Sequence, residues 1–196
     1  RRESAMCYDS VNDRVWLFGG IDDNGAKLGD LWYLNLGSGL PGSWVSIGTV
    51  SGSPPDPRNG ATMGYNSRTD KLLVCGGDSS VSGPNSQLYS YDIGSSVWTP
   101  VSVGNTGQEE DVNEAAAIYD DEHTRIISTP SARKKTQAIV LATPGTTWQY
   151  MTSPPAANNA TGALGLYDQA TGRYYALFGV RTILSRDIGS NNLRTF

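Results

Sequence analysis

Imidazole and thiol groups are almost absent from this chain of 196 residues, which holds one histidine, His123, and two cysteines, Cys7 and Cys75. So small a stock excludes a Cys-rich zinc site and leaves little for a histidine-based copper centre or a Ser-His-Asp triad. Nucleophile elbows and phosphate-cradling glycine loops are missing too. Basic residues are scarce: 15 Lys and Arg stand against 19 Asp and Glu, a net charge of −4. That balance argues against a nucleic-acid partner, which needs a clustered basic face. The one basic run, Arg133-Lys134-Lys135, reads as a solvated loop. The sequence has no apolar run of the roughly 18 residues needed for a transmembrane helix, and no signal peptide is visible. Long amphipathic helices are lacking as well. The nearest case, Asn113 to Tyr119, is too short, and its place in the repeat described below makes it a strand.

What the chain does have is glycine, 23 residues of it, and aromatics dominated by 10 Tyr and 5 Trp. With charged residues at 17%, this composition favours short strands joined by tight turns. Cys7 and Cys75 each fall inside a strand pattern and fit no metal or redox spacing. They read as two buried free thiols, with a disulfide left open.

Internal repetition organises the rest. Tyr-Asp recurs at Tyr8-Asp9, Tyr119-Asp120 and Tyr167-Asp168, with Tyr65-Asn66 as a near match, at spacings of 57, 54 and 48. Each pair precedes an apolar strand: Val15 to Phe18, Leu72 to Cys75, Arg125 to Ile127 and Tyr174 to Phe178. The first two strands end in double glycines, Gly19-Gly20 and Gly76-Gly77. The fourth keeps Gly179, and the third has Ser128-Thr129-Pro130. A polar loop follows, then a strand at Asp30 to Leu34, Gln87 to Tyr91, Thr136 to Val140 and Asn192 to Phe196. Lone tryptophans come next in three repeats: Trp44, Trp98 and Trp148. Arg1 precedes Tyr8 by the same 7 residues as Arg58, in Pro57-Arg58, precedes Tyr65.

Arginine lead-in, double glycine, aromatic strand and spaced tryptophan, in that order, resemble the kelch repeat. The resemblance spans nearly the whole chain and is clearest in the first two repeats. It implies an all-β, kelch-type β-propeller of about four blades, each of four antiparallel strands. The blades are expected at about 1–51, 55–106, 112–153 and 160–196 of a single partial domain. The last is read as incomplete, with Asn192 to Phe196 as its third strand, so the chain is expected to be a fragment or an open ring. Four strands cannot bury both faces alone, and stacking them around an axis hides the faces. Gly19, Gly20, Gly76, Gly77 and Gly179 are expected to let backbones approach, Arg58 to act structurally, and Trp44, Trp98 and Trp148 to fill the seams between blades.

Function is expected on the loops between second and third strands and on the links between blades. These are Ile21 to Leu28, Ser51 to Pro57, Asp78 to Asn85, Gln108 to Val112, Pro130 to Lys135, Pro154 to Asn159 and Arg181 to Asn191. Candidate binding residues are Asp22, Asp23, Lys27, Glu109, Glu110 and Asp111 from blades one and two. Blades three and four add Arg133, Lys134, Lys135, Arg181 and Arg186. The pattern suits a charge-patterned docking face for a protein or peptide, with no catalytic residue, metal or cofactor expected. Open blade edges offer a route to self-association.

The resemblance also admits two other readings. One is the propeller of a galactose-oxidase-like secreted enzyme, whose copper takes tyrosine and histidine ligands; only His123 is present here. The other is a cell-surface glycan-binding module. The iron motif of plant specifier proteins fails, because Tyr119 stands where aspartate is wanted, despite Glu114, Glu122 and His123 nearby. Asn159-Ala160-Thr161 is a glycosylation sequon at a blade link and leans weakly to an extracellular site, so the compartment stays open between cytoplasm and cell exterior.

Overall fold

The computed structural model describes residues 1–37, 42–104, 116–129, 137–141, 147–150, 163–168, 171, 173–178, 182–187 and 192–195. Strands and turns account for all regular structure among them, and they form two compact units, Arg1–Ser102 and Val103–Phe196.

In the first unit, β1 (Ala5–Asp9), β2 (Arg14–Ile21), β3 (Lys27–Asn35) and β4 (Trp44–Ile47) make one antiparallel sheet in sequence order. The link to the next sheet contains β5 (Ser51–Gly52) and β6 (Arg58–Asn59). The second sheet is built on β7 (Thr62–Asn66), β8 (Lys71–Ser79), β9 (Gly83–Asp92) and β10 (Val97–Val101). β5 joins its outer edge parallel to β10, and β6 pairs with the end of β8.

In the second unit, β11 (Ala116–Asp120), β12 (Arg125–Thr129), β13 (Gln137–Val140) and β14 (Thr147–Tyr150) form a third sheet. β15 (Ala163–Asp168), β16 (Arg173–Phe178), β17 (Thr182–Asp187) and β18 (Asn192–Thr195) form a fourth. The segment from Asn113 to Tyr119 is a strand from Ala116 on, as its repeat context requires.

The fourth sheet corrects the strand count of the last repeat. The repeat pattern places Thr182–Asp187 in a loop, yet this segment pairs with β16 over six positions, from Phe178↔Thr182 to Arg173↔Asp187. Asn192–Thr195 is therefore the fourth strand of its sheet, not the third. The segment carries no tryptophan or tyrosine, the residues that mark the third strands of the first two repeats. Its Ile183 and Leu184 suit a strand equally well.

The repeated Tyr-Asp pair is a turn device. Asp9 accepts hydrogen bonds from the backbone N–H of Val11 (3.1 Å) and Asn12 (2.9 Å). Asn66 receives Arg68 and Thr69 N–H in the same way, at 3.1 and 3.2 Å. Asp120 receives His123 N–H at 3.2 Å, and Asp168 receives Thr171 N–H at 3.4 Å. Such side chains mimic a backbone turn, and so set the hairpin between the first and second strands of every sheet. Four residues on, the chain enters the left-handed region at Asp13 (φ 52°), Asp70 (φ 53°) and Thr124 (φ 49°).

Double glycines make a bulge. Gly19 and Gly20 have φ of 64° and 100°, Gly76 and Gly77 of 71° and 89°. The register of β2 against β3 shifts between Phe18 and Gly20, and that of β8 against β9 between Cys75 and Gly77. A side-chain carbon on Gly19 would lie 2.5 Å from the Arg58 carbonyl oxygen, so this bulge is also where two sheets touch backbone to backbone.

Period-two alternation builds the core. Ala5, Cys7, Trp16, Phe18, Leu31, Tyr33 and Ile47 stand on the face of the first sheet that meets the second. Met63, Tyr65, Leu72, Val74, Tyr89, Tyr91 and Trp98 answer from the second. Ring centroids lie 5.6 Å apart for Phe18 and Trp98, 6.2 Å for Trp16 and Tyr91, and 5.0 Å for Tyr91 and Trp98. These tilted and edge-on pairs add aromatic attraction to a large buried apolar area.

Trp98 is packed in the seam between the two sheets, with 2% of its surface exposed, whereas Trp44 is 46% exposed. It sits opposite Leu34, one position out of step with Leu31 and Tyr33, and so stands on the face turned away from the second sheet. Trp148 lies in β14, but its side chain is outside the described residues, as is Gly179.

Both thiols are free. Burial pushes the Cys75 thiol up to about 12, while the Arg58 charge pulls weakly the other way. Burial, helped by Asp9, raises Cys7 as well.

Candidate binding face

The bulged ends of β2 and β8, the loops that follow them and the link between the two sheets lie together at one end of the first unit. Short connections there are held by their own side chains. Asp22 accepts from the N–H of Asn24 (2.9 Å) and Ala26 (2.8 Å), closing the loop 22–26. Ser79 Oγ accepts from Val81 and Ser82 N–H at 3.1 and 3.3 Å and donates to Asp56 at 3.2 Å.

Charged side chains tie these pieces to one another. Lys27 Nζ stands 2.7 Å from Asp78 Oδ1 and donates to the Ser79 carbonyl at 3.3 Å, linking the first sheet to the second. Arg1 meets Asp30 at 2.6 Å and donates to the Gly19 carbonyl at 3.2 Å. Burial raises the Asp30 carboxyl, but hydrogen bonds from Arg1 and Trp32 outweigh it and hold the group below the usual carboxylate range.

Arg58 repeats the Arg1 arrangement one sheet on. Its Nη1 donates to the Gly76 carbonyl at 2.9 Å, and its Nη2 reaches Gln87 at 3.4 Å, where the first sheet has Asp30. The guanidinium also lies 5.1 Å from the Tyr89 ring centroid. It is fully buried and has a neutral acceptor where Arg1 has a carboxylate. The lead-in arginine is therefore a brace that fastens the link to the glycine bulge. The side chain is buried and is not exposed to a partner.

Three candidate binding residues fall within this end of the first unit. Asp23 is at the loop tip, Asp22 is spent on the loop's own hydrogen bonds, and Lys27 is paired with Asp78. Lys27 also belongs to β3 rather than to a loop. Glu109, Glu110, Asp111, Arg133, Lys134, Lys135, Arg181 and the sequon at Asn159 lie outside the described residues. Arg186 is displaced from its expected loop: it sits within β17, opposite Tyr174 and Leu193.

His123 is exposed in its turn, with Nδ1 2.9 Å from Asp120 Oδ2. The same carboxylate accepts Arg125 Nε at 2.8 Å. Among the described residues, no group of three His, Cys, Asp or Glu side chains is placed to hold a metal ion. No helix among them is long and apolar enough to cross a membrane.

Sequence reasoning missed Trp16. Its indole N–H donates to Asp9 at 3.1 Å, so one buried ring joins the turn device to the seam. The signal was present: Trp16 stands seven residues beyond Asp9, across the hairpin.

Four-stranded antiparallel sheets of this register, with an arginine braced on a glycine bulge and aromatic seams, are blades of a kelch-type β-propeller. The chain belongs to the KLHDC2/KLHL20/DRC7 kelch-repeats domain family, whose model matches residues 1–167. Kelch-repeat domains commonly serve as protein-interaction scaffolds and are generally not catalytic. The solved structure of YjhT superimposes with a TM-score of 0.70 at 14% identity, over 99% of this chain and 63% of that one. The chain thus spans less than two thirds of that neighbour's length. No curated protein matches it.

Proposed function

We propose that this chain is a non-catalytic interaction module of a larger kelch-repeat protein. It binds a protein or peptide through the loops between second and third strands and the links between blades. The observation that carries this reading is the Lys27–Asp78 pair, which bridges two consecutive blades at 2.7 Å on the loop end. A partner laid across that end meets the loop 22–26 and the loop after β8 as one braced surface, so little ordering is needed on binding. Asp23 and the neighbouring polar tips supply charge for orientation, and the Arg133-Lys134-Lys135 run offers the opposite sign elsewhere on the chain.

The test is affinity capture with wild-type chain, an Asp23→Lys variant and an Arg133→Glu/Lys134→Glu/Lys135→Glu variant. Loss of the same partners from either reversal, with an unchanged melting temperature, supports the reading. Unchanged capture by both variants removes these loops from the docking face.

A further inference from the structure

Asn-Gly occurs at Asn24-Gly25 and again at Asn59-Gly60. Asparagine is a thermolabile residue, and a glycine after it leaves the next backbone nitrogen free of side-chain obstruction as it approaches the asparagine Cγ. The two sites share this chemistry and differ in their surroundings. Asn59 lies in β6 and is buried, opposite Asp78 in the ladder. Glu3 holds both reacting groups there. Its carboxylate accepts from Asn59 Nδ2 at 2.7 Å, and its carbonyl accepts from Gly60 N–H at 3.0 Å. The backbone is confined as well: a carbon on Gly77 would lie 2.7 Å from the Asn59 carbonyl oxygen. Reaction at Asn59 requires β6 to leave its sheet. Asn24 stands in the loop 22–26, where Asp23, Asn24, Gly25 and Ala26 are all exposed. Gly25 has a φ of 85°, and the space where its side chain would be is empty to 4 Å. Its N–H makes one long bond across the turn, to the Asp22 carbonyl at 3.2 Å. Asn24 bonds to Asp22 through its backbone N–H, at 2.9 Å, and its side-chain amide is left to solvent.

We propose that Asn24 is a site of spontaneous modification, at which the chain converts to isoaspartate and the loop 22–26 opens. The Gly25 nitrogen, on losing its proton, attacks Asn24 Cγ. A bond forms between them, the Cγ–Nδ2 bond breaks, and the side-chain amide takes up a proton and leaves as ammonia. Water then adds to either carbonyl of the resulting ring. Opening on one side gives aspartate. Opening on the other gives isoaspartate, with the chain now running through Cγ. Nothing is oxidised or reduced, and water is the co-reactant. Both products place a new carboxylate beside Asp22 and Asp23, and isoaspartate also lengthens the backbone by one carbon. Asp22 and Ala26 are joined across position 24, from Asp22 N–H to the Ala26 carbonyl at 3.0 Å and from Ala26 N–H to Asp22 Oδ1 at 2.8 Å. A longer chain between them cannot keep this turn, and the added like charge repels the Asp22 carboxylate that closes it. The conversion needs no partner, so it does not rest on the docking reading above.

The experiment ages the 196-residue chain at neutral pH and body temperature, once native and once in guanidinium. Peptides holding Asn24 and Asn59 are followed by mass spectrometry, with synthetic standards separating aspartate from isoaspartate. Each native rate is divided by the rate of the same peptide in guanidinium, which removes the influence of flanking sequence. That ratio is expected to be at least about tenfold larger at Asn24 than at Asn59. Isoaspartate is expected among the products at position 24, since direct hydrolysis of the side-chain amide yields aspartate alone. Equal ratios at the two sites overturn the inference, as does aspartate without isoaspartate. The isoaspartyl chain, isolated by ion exchange, is expected to exchange its Ala26 N–H about tenfold faster than the unmodified chain. Unchanged exchange there overturns the opening of the loop.

Discussion

The carbonyl oxygen of Arg58 lies 2.5 Å from the point where a side chain on Gly19 would begin. The two residues belong to consecutive blades, so the glycine is fixed by its neighbour as well as by its own backbone. Gly25, in the loop after the same strand, has a similar positive φ of 85° but nothing within 4 Å of its added carbon. The pair separates two penalties. Gly25→Ala should lose only the left-handed strain of about 1–2 kcal/mol. Gly19→Ala adds the overpacking of two backbones, for a total of roughly 2–5 kcal/mol. Urea unfolding of both variants checks the order, and an equal loss would show that the bulge is not a point of blade contact.

Asp9 gives the fold an acid limit. Burial pushes its carboxyl up, but hydrogen bonds from Asn12, Trp16 and Val11 outweigh burial and hold it below the ordinary carboxylate range. A folded-state value below the unfolded one gives stability that is present above about pH 4 and is lost as pH falls through the folded value. Asp9→Asn should therefore lower stability at pH 7 and flatten its decline as the pH falls below about 4. Denaturant midpoints at a series of pH values suffice. An Asp9→Asn chain that kept the wild-type acid slope would contradict this assignment.

Cysteine chemistry tests the interior. With its thiol pushed up to about 12, Cys75 carries almost no thiolate at neutral pH. Native protein should react negligibly with a thiol reagent over an hour, and both cysteines should react once the chain is unfolded in guanidinium. Rapid native modification of Cys75 would mean that the interior of the second blade opens.

Much of the architecture is legible in the sequence because local chemistry specifies it. Tyr-Asp and Tyr-Asn mark turns through hydrogen bonds made within three residues, and paired glycines mark bulges through φ alone. Blade four's third strand is hidden because Thr182 to Asp187 carries no aromatic, and pairing rather than composition makes it a strand. The difference between Trp44 and Trp98 is invisible in sequence, since both occupy the same repeat position yet Trp98 is buried in the seam of the first unit and Trp44 is half-exposed. On the candidate face, Asp23 is recognisable as a loop charge. The engagement of Lys27 with Asp78 and the burial of Arg58 depend on the neighbouring blade, so a single repeat cannot reveal them.

The two blades of the first unit stack through an aromatic seam built on Trp98, Tyr91, Trp16 and Phe18. Thermal and urea unfolding of Trp98→Ala and Trp44→Ala in the same chain measures what that seam contributes. Loss of about 3–5 kcal/mol for Trp98→Ala is expected from emptying a packed seam, against less than about 1 kcal/mol for the half-exposed Trp44. Equal losses, or a Trp98→Ala chain that melts like wild type, would mean that the blades are not held together through this seam.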